Sequence, residues 1–292
     1  MTQSRMVRDM LLGLDPALEV AIEEVVTTGD RILDSPLSRI GDRGLFVKEI
    51  EEALLERRIH LAVHSAKDVP TALPEGLGLL AFTEREDPSD AFVGRLGGIQ
   101  ELAGARRIGT SSLRRRSQLL ARYPHLEVVD IRGNVETRIR KIAELDLDGT
   151  ILAVAGLTRL GRLDEAAFVF PPEVMISAVG QGALAIEARV DDESTASLLA
   201  RLDDAPTRAA VLAERALMQT LEGGCQVPIG ARAVVEEGRI RLVAYVGSVD
   251  GSKNLTREHE GPAGDPEAVG RELAREMLAA GAYEILAEVR GS

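Results

Sequence analysis

Between Arg107 and Ala155 the chain alternates short apolar runs with amphipathic stretches, and few architectures tolerate that pattern. Arg107 to Gly109 opens a strand. Thr110, Ser111 and Ser112 then offer side-chain oxygens that can cap a helix through Leu120. Residues 126–131 read as a second strand. Val135, Ile139 and Ile142 put one apolar face on a second helix, and residues 150–155 (TILAVA) read as a third strand. A strand–helix–strand–helix–strand run predicts a parallel sheet covered by helices on both faces. Upstream, residues 45–57 carry Leu45, Phe46, Ile50, Leu54 and Leu55 near helical spacing, and residues 60–64 (HLAVH) read as a buried strand.

The pattern changes from about Pro206. A helix over 207–221, strands over 231–235 and 240–246, and a helix over 266–280 predict a smaller α+β domain. Residues 85–90 (REDPSD) and 177–182 (SAVGQG) read as crossings between domains. The expected division is therefore 1–84 with 178–200, then 88–177, then 205–292.

A chain of 292 residues with 45% hydrophobic and 28% charged content can bury a sizeable core in two or three domains. It has no apolar run of about 18 residues, so no membrane span is expected. Residues 1–9 lack the apolar stretch of a secretory signal. The single cysteine, Cys225, can form no internal disulfide and no cysteine-rich zinc site, which fits a reduced, cytoplasmic setting and no metal. A net charge of -12, no Trp and 3% aromatic residues weigh against nucleic acid as a partner. The arginine-rich stretch 106–141 points instead to a specific anionic ligand.

Four segments carry candidate chemistry. In GTSSLRRR, Arg114, Arg115 and Arg116 lie in the first turns of a helix, beside Thr110 and Ser112. Free amides at a helix N-terminus bind anions, and strand carboxyl ends are where ligands collect in open α/β sheets. Successive helix residues fan out by about 100°, so all three arginines cannot face one ligand. Arg132 ends the next strand and Arg138 sits one helical turn beyond it. A solvated basic helix face is the plain alternative. In HSAKDVP (64–70) a strand runs into Ser65, Lys67 and Asp68, and a turn must bring Lys67 and Asp68 to one side. A carboxylate there can stabilise a developing cation or relay a proton, while a surface turn with a local ion pair is the competing reading. In LEGGCQVP (221–228) Gly223 and Gly224 permit close approach beside Cys225, although isolated cysteines are commonly inert. In the segment 34–49, Arg39 and Arg43 with two glycines suit a flap over an anion site, or an ordinary surface loop.

Together these motifs resemble the porphobilinogen deaminase family. The matches are GLFVKE (44–49), HSAKDVP (64–70), EREDPSDAF (84–92) and GTSSLRRR (109–116). They continue through RGNVETR (132–138), AVAGLTRLG (153–161), AVGQGAL (178–184) and LEGGCQVPIG (221–230), and so run along nearly the whole chain. The resemblance implies two lobes like those of a periplasmic binding protein, with the active site in their cleft, and a third domain carrying Cys225 on a loop. It implies a dipyrromethane cofactor in thioether linkage to Cys225. The implied reaction adds four porphobilinogen units, each losing ammonia, and releases hydroxymethylbilane. Asp68 matches the family's catalytic aspartate. Lys67, Arg114, Arg115, Arg132, Arg138 and Arg159 match positions that hold acetate and propionate groups, with Ser65, Thr110 and Ser112 adding neutral hydrogen bonds. Arg39 and Arg43 stand where the family places basic residues of a flexible loop. The resemblance further implies a monomer that hands its product to uroporphyrinogen-III synthase.

One departure stands out. Family members begin with a strand and an Arg-x-Ser loop, whereas Met1 falls inside the expected first helix and only Gln3 survives from that region. The expectation is either a start recorded too late or a compromised enzyme, and the upstream reading frame distinguishes them. The rival function is a non-catalytic anion receptor of the periplasmic-binding type, which requires no covalent adduct and no role for Cys225.

Overall fold

The computed structural model describes residues 1–25, 47–221 and 227–290. Helix α1 (Thr2–Leu14) comes first, then α2 (Lys48–Leu55), β1 (Leu61–Ser65), β2 (Leu77–Phe82) and β3 (Asp90–Gly94). Next are β4 (Arg107–Gly109), α3 (Leu113–Arg122), β5 (Glu127–Val129), α4 (Val135–Glu144) and β6 (Gly149–Ala153). The chain continues through α5 (Val154–Arg159), β7 (Phe168–Val169), β8 (Leu184–Arg189), α6 (Glu193–Leu199) and α7 (Ala205–Thr220). The last described elements are β9 (Ile229–Glu236), β10 (Arg239–Gly247), β11 (Asn254–Pro262), α8 (Pro266–Ala279) and α9 (Ala282–Arg290). Packing gathers the described residues into two units. The first combines Met1–Arg85 with Ala183–Arg208, and the second combines Glu86–Gly182 with the described residues from Ala209 onward, other than those of the first.

In the first unit β8 lies between β1 and β2 and runs antiparallel to both. Every residue of β8 is buried, so its sequence LAIEAR shows no alternation between core and solvent. Val7 and Leu11 of α1 cover Ala81, Leu184, Ile186 and Ala188 on one face. Leu54 of α2 covers Ala62 and Leu77 on the other.

The second unit holds a five-stranded sheet in the order β5-β4-β6-β3-β7. β4 pairs parallel with β5 and β6, as the strand–helix alternation predicts. Outside that run the sheet is mixed: β3 runs antiparallel to β6 and β7. Antiparallel neighbours need no crossover helix, so nothing in the local pattern announces them. Leu119 of α3 packs with Phe92, Ile108 and Ile151 on one face. Val135, Ile139 and Ile142 of α4 pack with Ala91, Val93 and Leu152 on the other, so both faces are covered as expected. The same unit contains the antiparallel sheet β11-β10-β9. Its apolar residues Ala231, Ile240, Leu242, Ala244 and Val246 pack with Leu217 of α7, Leu273 and Met277 of α8 and Leu286 of α9. The chain is mixed α/β with a smaller α+β region at the C-terminal side.

Candidate active site

The first unit supplies a short turn. β1 ends at Ser65, and the 3-10 turn Ala66–Asp68 follows, so Lys67 and Asp68 are not held on opposite faces as they would be in a continuing strand. Ala66 donates its backbone N–H to the Ala183 carbonyl at 3.0 Å, and the buried Val69 fixes the far side. Ser65 and Lys67 are half-buried and Asp68 is exposed. Beneath the turn His64 Nε2 lies 2.9 Å from Glu187 Oε2, with side-chain exposures of 7% and 0%. Burial and the Glu187 charge push the Glu51 carboxyl above its ordinary pKa, partly offset by His64.

The second unit supplies a basic cluster at the carboxyl ends of β4 and β6. Gly109 closes β4 where a side chain has no room: a Cβ there would lie 2.7 Å from Leu147 Cδ1 and 2.8 Å from Ile131 Cδ1. The chain can therefore turn tightly into Thr110, which is buried and whose Oγ1 accepts from the Ser112 N–H at 3.2 Å. Ser112 caps α3 by accepting from the Arg115 N–H at 3.4 Å, and Ser111 Oγ donates to the Ile131 carbonyl at 2.7 Å.

Arg114 and Arg115 turn inward, each 5% exposed, and converge on the fully buried Asp90. Arg114 NH1 donates to Asp90 Oδ2 and to the Ile176 carbonyl, both at 2.7 Å. Arg115 donates to Asp90 Oδ1 from NH2 at 2.6 Å and from Nε at 3.2 Å, and its NH1 reaches the Ile151 carbonyl at 2.8 Å. Gln181 Nε2 adds a donor to Asp90 Oδ1 at 2.9 Å. Burial alone pushes the Asp90 carboxyl up, but the two guanidiniums outweigh it and hold the group well below the usual carboxylate range. Burial likewise lowers Arg114, against the opposing pull of Asp90. Two buried guanidiniums against one carboxylate leave a positive charge in excess. Arg114 Nε is buried and meets no acceptor among the described residues. An uncompensated buried charge is costly, and an incoming carboxylate relieves it. The acetate and propionate groups of a dipyrromethane fit that requirement.

The other arginines of the second unit follow the strand ends. Arg132 and Arg138 are half-buried. Gly133, at φ 117, lets the backbone turn between them, where a Cβ would meet Thr137 Cγ2 at 2.5 Å. Arg138 Nε donates to the Gly133 carbonyl at 2.8 Å, and Asn134 caps α4 by accepting from the Thr137 N–H at 2.8 Å. Arg159 ends α5 and donates to the Gly182 carbonyl at 2.5 Å; burial lowers its pKa and nearby Glu86 opposes this. The structure thus brings Arg114 and Arg115 onto one buried carboxylate, with Thr110 and Ser112 shaping the helix entry that carries them. Ser65, Lys67 and Asp68 belong to the other unit. Arg39, Arg43 and Cys225 lie outside the described residues.

Three residues that sequence reasoning passed over organise this site. Asp90 lies within EREDPSDAF (84–92), and the three successive arginines of LRRR were the signal that a counter-ion could be needed if any of them turned inward. Gln181 joins the two crossings, donating to the Pro88 carbonyl at 2.6 Å as well as to Asp90. Glu214, fully buried on α7, accepts from the Gly180 N–H and the Ala233 N–H, both at 2.7 Å. Its signal was a carboxylate inside the apolar stripe of Ala210, Ala213, Leu217 and Leu221.

The family model described as "porphobilinogen deaminase, dipyromethane cofactor binding domain" matches residues 1–197. The chain belongs to the porphobilinogen deaminase family. A second model of that family, for its C-terminal domain, matches residues 208–279. Porphobilinogen deaminase of Desulforudis audaxviator is 50% identical over 291 residues, covering 99% of this chain and 94% of the relative. That of Trichlorobacter lovleyi is 52% identical over 274 residues, covering 94% and 88%. That of Geobacter metallireducens is 50% identical over 287 residues, covering 98% and 90%. Among solved structures, the VFT2 domain of BvgS from Bordetella pertussis aligns with 68% of this chain and 76% of its own at 16% identity and a TM-score of 0.40; overlap that loose says nothing about function. Among the described residues no helix is long and apolar enough to cross a membrane.

Proposed function

We propose that this chain is a hydroxymethylbilane synthase, which joins four porphobilinogen molecules with loss of ammonia and releases the linear tetrapyrrole. The observation that carries the reading is the buried Asp90–Arg114–Arg115 cluster with its excess positive charge and unpartnered Arg114 Nε. It sits in the region matched by the cofactor-binding family model. When bound, the dipyrromethane supplies the primer to which substrate units are added.

The chain's own residues divide the work. Arg114, Arg115, Arg132 and Lys67, with Ser65, Thr110 and Ser112, hold carboxylates of the cofactor. A guanidinium carries five N–H donors, and Arg114 directs two of its hydrogen bonds to Asp90 and Ile176, so donors remain for a ligand. Arg138, Arg159, Arg39 and Arg43 hold substrate carboxylates, in forked geometry that an ammonium cannot match. Asp68, exposed at the end of its turn, stabilises the positive charge that develops on a pyrrole ring as ammonia departs. Cys225 is the covalent anchor. The division into 1–84 with 178–200, 88–177 and 205–292, a cytoplasmic monomer and transfer of product to uroporphyrinogen-III synthase complete the proposal.

Intact-protein mass spectrometry tests it. The expected result is an added mass corresponding to a dipyrromethane, abolished in Cys225→Ser. An unmodified chain that still made hydroxymethylbilane would refute the anchor.

A further inference from the structure

Helix α3 carries Arg114 and Arg115 in its first turn, and its placement is fixed from an unexpected side. Arg114, Ser117, Gln118 and Ala121 recur at helical spacing and share one face. Gln118 grips the backbone at Ile176, accepting from its N–H at 2.8 Å and donating to its carbonyl at 3.0 Å. Ser117 Oγ lies 2.7 Å from Tyr245 Oη of β10, with both residues buried. Gly247 leaves the room for that bond: a Cβ there would fall 2.3 Å from both hydroxyl oxygens. One turn of chain further, Gly251 at φ 72 lies flush against the helix. A Cβ on Gly251 would come within 2.2 Å of Ala121 N, 2.6 Å of Ser117 O and 2.7 Å of Leu120 C.

The turn that presents Gly251 is itself braced. Ser248 Oγ donates to Asp250 Oδ1 at 2.6 Å, Ser252 N–H donates to the same oxygen at 3.1 Å, and Ser248 N–H donates to the Lys253 carbonyl at 2.8 Å. The β10–β11 hairpin is therefore a rigid stop with a directional latch. A phenylalanine and an alanine would fill the space of Tyr245 and Ser117 without fixing the helix along its axis, because apolar contact is non-directional. The Ser117 latch is three residues from Arg114, one helical turn.

We propose that Tyr245 and Ser117, with Gly251 as the stop, are positioning residues for the anion-binding arginines. The hairpin sets how far α3 advances along its axis, and thereby where the Arg114 guanidinium meets a carboxylate. Charge recognition of this kind needs placement within about 0.5 Å, which a hydroxyl pair supplies and loose packing does not. The proposal rests on the reading that Arg114 and Arg115 hold carboxylates.

The test compares full-length Tyr245→Phe, Ser117→Ala, their double variant and Arg114→Lys. It measures KM and kcat for porphobilinogen, dipyrromethane occupancy by intact mass, and Tm. The expected result for Tyr245→Phe is a ratio of dipyrromethane-loaded to unloaded chain lowered about 3–10-fold, the size expected for losing one hydrogen bond, with kcat per loaded chain within about two-fold. The double variant should match the single, since the two hydroxyls act as one unit. A fall in Tm with occupancy unchanged, while Arg114→Lys lowers occupancy, would overturn the positioning role and leave the carboxylate reading standing. Unchanged occupancy in Arg114→Lys would overturn both.

Discussion

Replacing Asp90 by asparagine keeps the shape of the side chain and removes its charge. Asp90 has no exposed surface and receives donors from Arg114, Arg115 and Gln181. The variant leaves two buried guanidiniums facing each other with no counter-charge. Removing one partner of a buried ion pair costs about 3–5 kcal/mol. Against a total stability of roughly 5–15 kcal/mol, the variant still folds in most of that range, with a large share of its margin gone. At about 2–4 °C per kcal/mol for domains of 150–250 residues, Tm should fall by roughly 10 °C. The pH dependence has a definite sign. The two guanidiniums hold the folded pKa of Asp90 below the ordinary carboxylate range, so its stabilisation is complete above that range and is lost as the pH falls through it toward the folded value. The gap between wild type and Asp90→Asn should thus be full at pH 7 and narrow progressively below about pH 4. Urea unfolding across that range measures it, and intact mass reports dipyrromethane occupancy in the same samples. A variant within about 1 kcal/mol of wild type at pH 7, the worth of one ordinary hydrogen bond, would show that Asp90 does not neutralise the cluster.

Other substitutions probe different links. Glu214→Gln exchanges an acceptor oxygen for an amide nitrogen against two buried backbone N–H groups, so one must lose its partner. Urea unfolding should show a loss of about 1–3 kcal/mol with an unchanged m-value; no loss would mean the crossing is held by other contacts. Asp68→Ala, at an exposed position, should leave Tm near wild type and severely reduce turnover in a porphobilinogen consumption assay. Near-normal turnover would remove Asp68 from the reaction.

Legibility in the sequence followed sequence separation. The β4–α3–β5–α4–β6 run was readable because each element carries its own period and its own cap, Ser112 and Asn134. β3 was not, because its antiparallel partner β6 comes only after two further strands and two helices, so no local period marks the pairing. β11 and α9 were passed over too; β11 is nearly free of buried residues, so hydrophobic period gave no signal there. For the site, the arginines were visible as charges, but their conformation was not. A basic run reads as solvated until a buried carboxylate is known, and Asp90 lies 24 residues from Arg114 along the chain. The turn at Ala66–Asp68 was anticipated from Lys67 and Asp68 needing a common side. The His64–Glu187 pair beneath it, 123 residues apart, was not.

That last separation bears on how the chain is made. β8 is the middle strand of the first sheet, and among the described residues β1 and β2 pair with it and not with each other. Both of its neighbours leave the ribosome long before it does. At roughly 5–20 residues per second, the interval from His64 to Glu187 lasts about 6–25 s. Throughout it, β1 and β2 lack the strand that both pair with, while the five-stranded sheet encoded between β2 and β8 is free to close first. The N-terminal sheet thus cannot be completed until the inserted module has been synthesised in full, and the wait is written into the strand order.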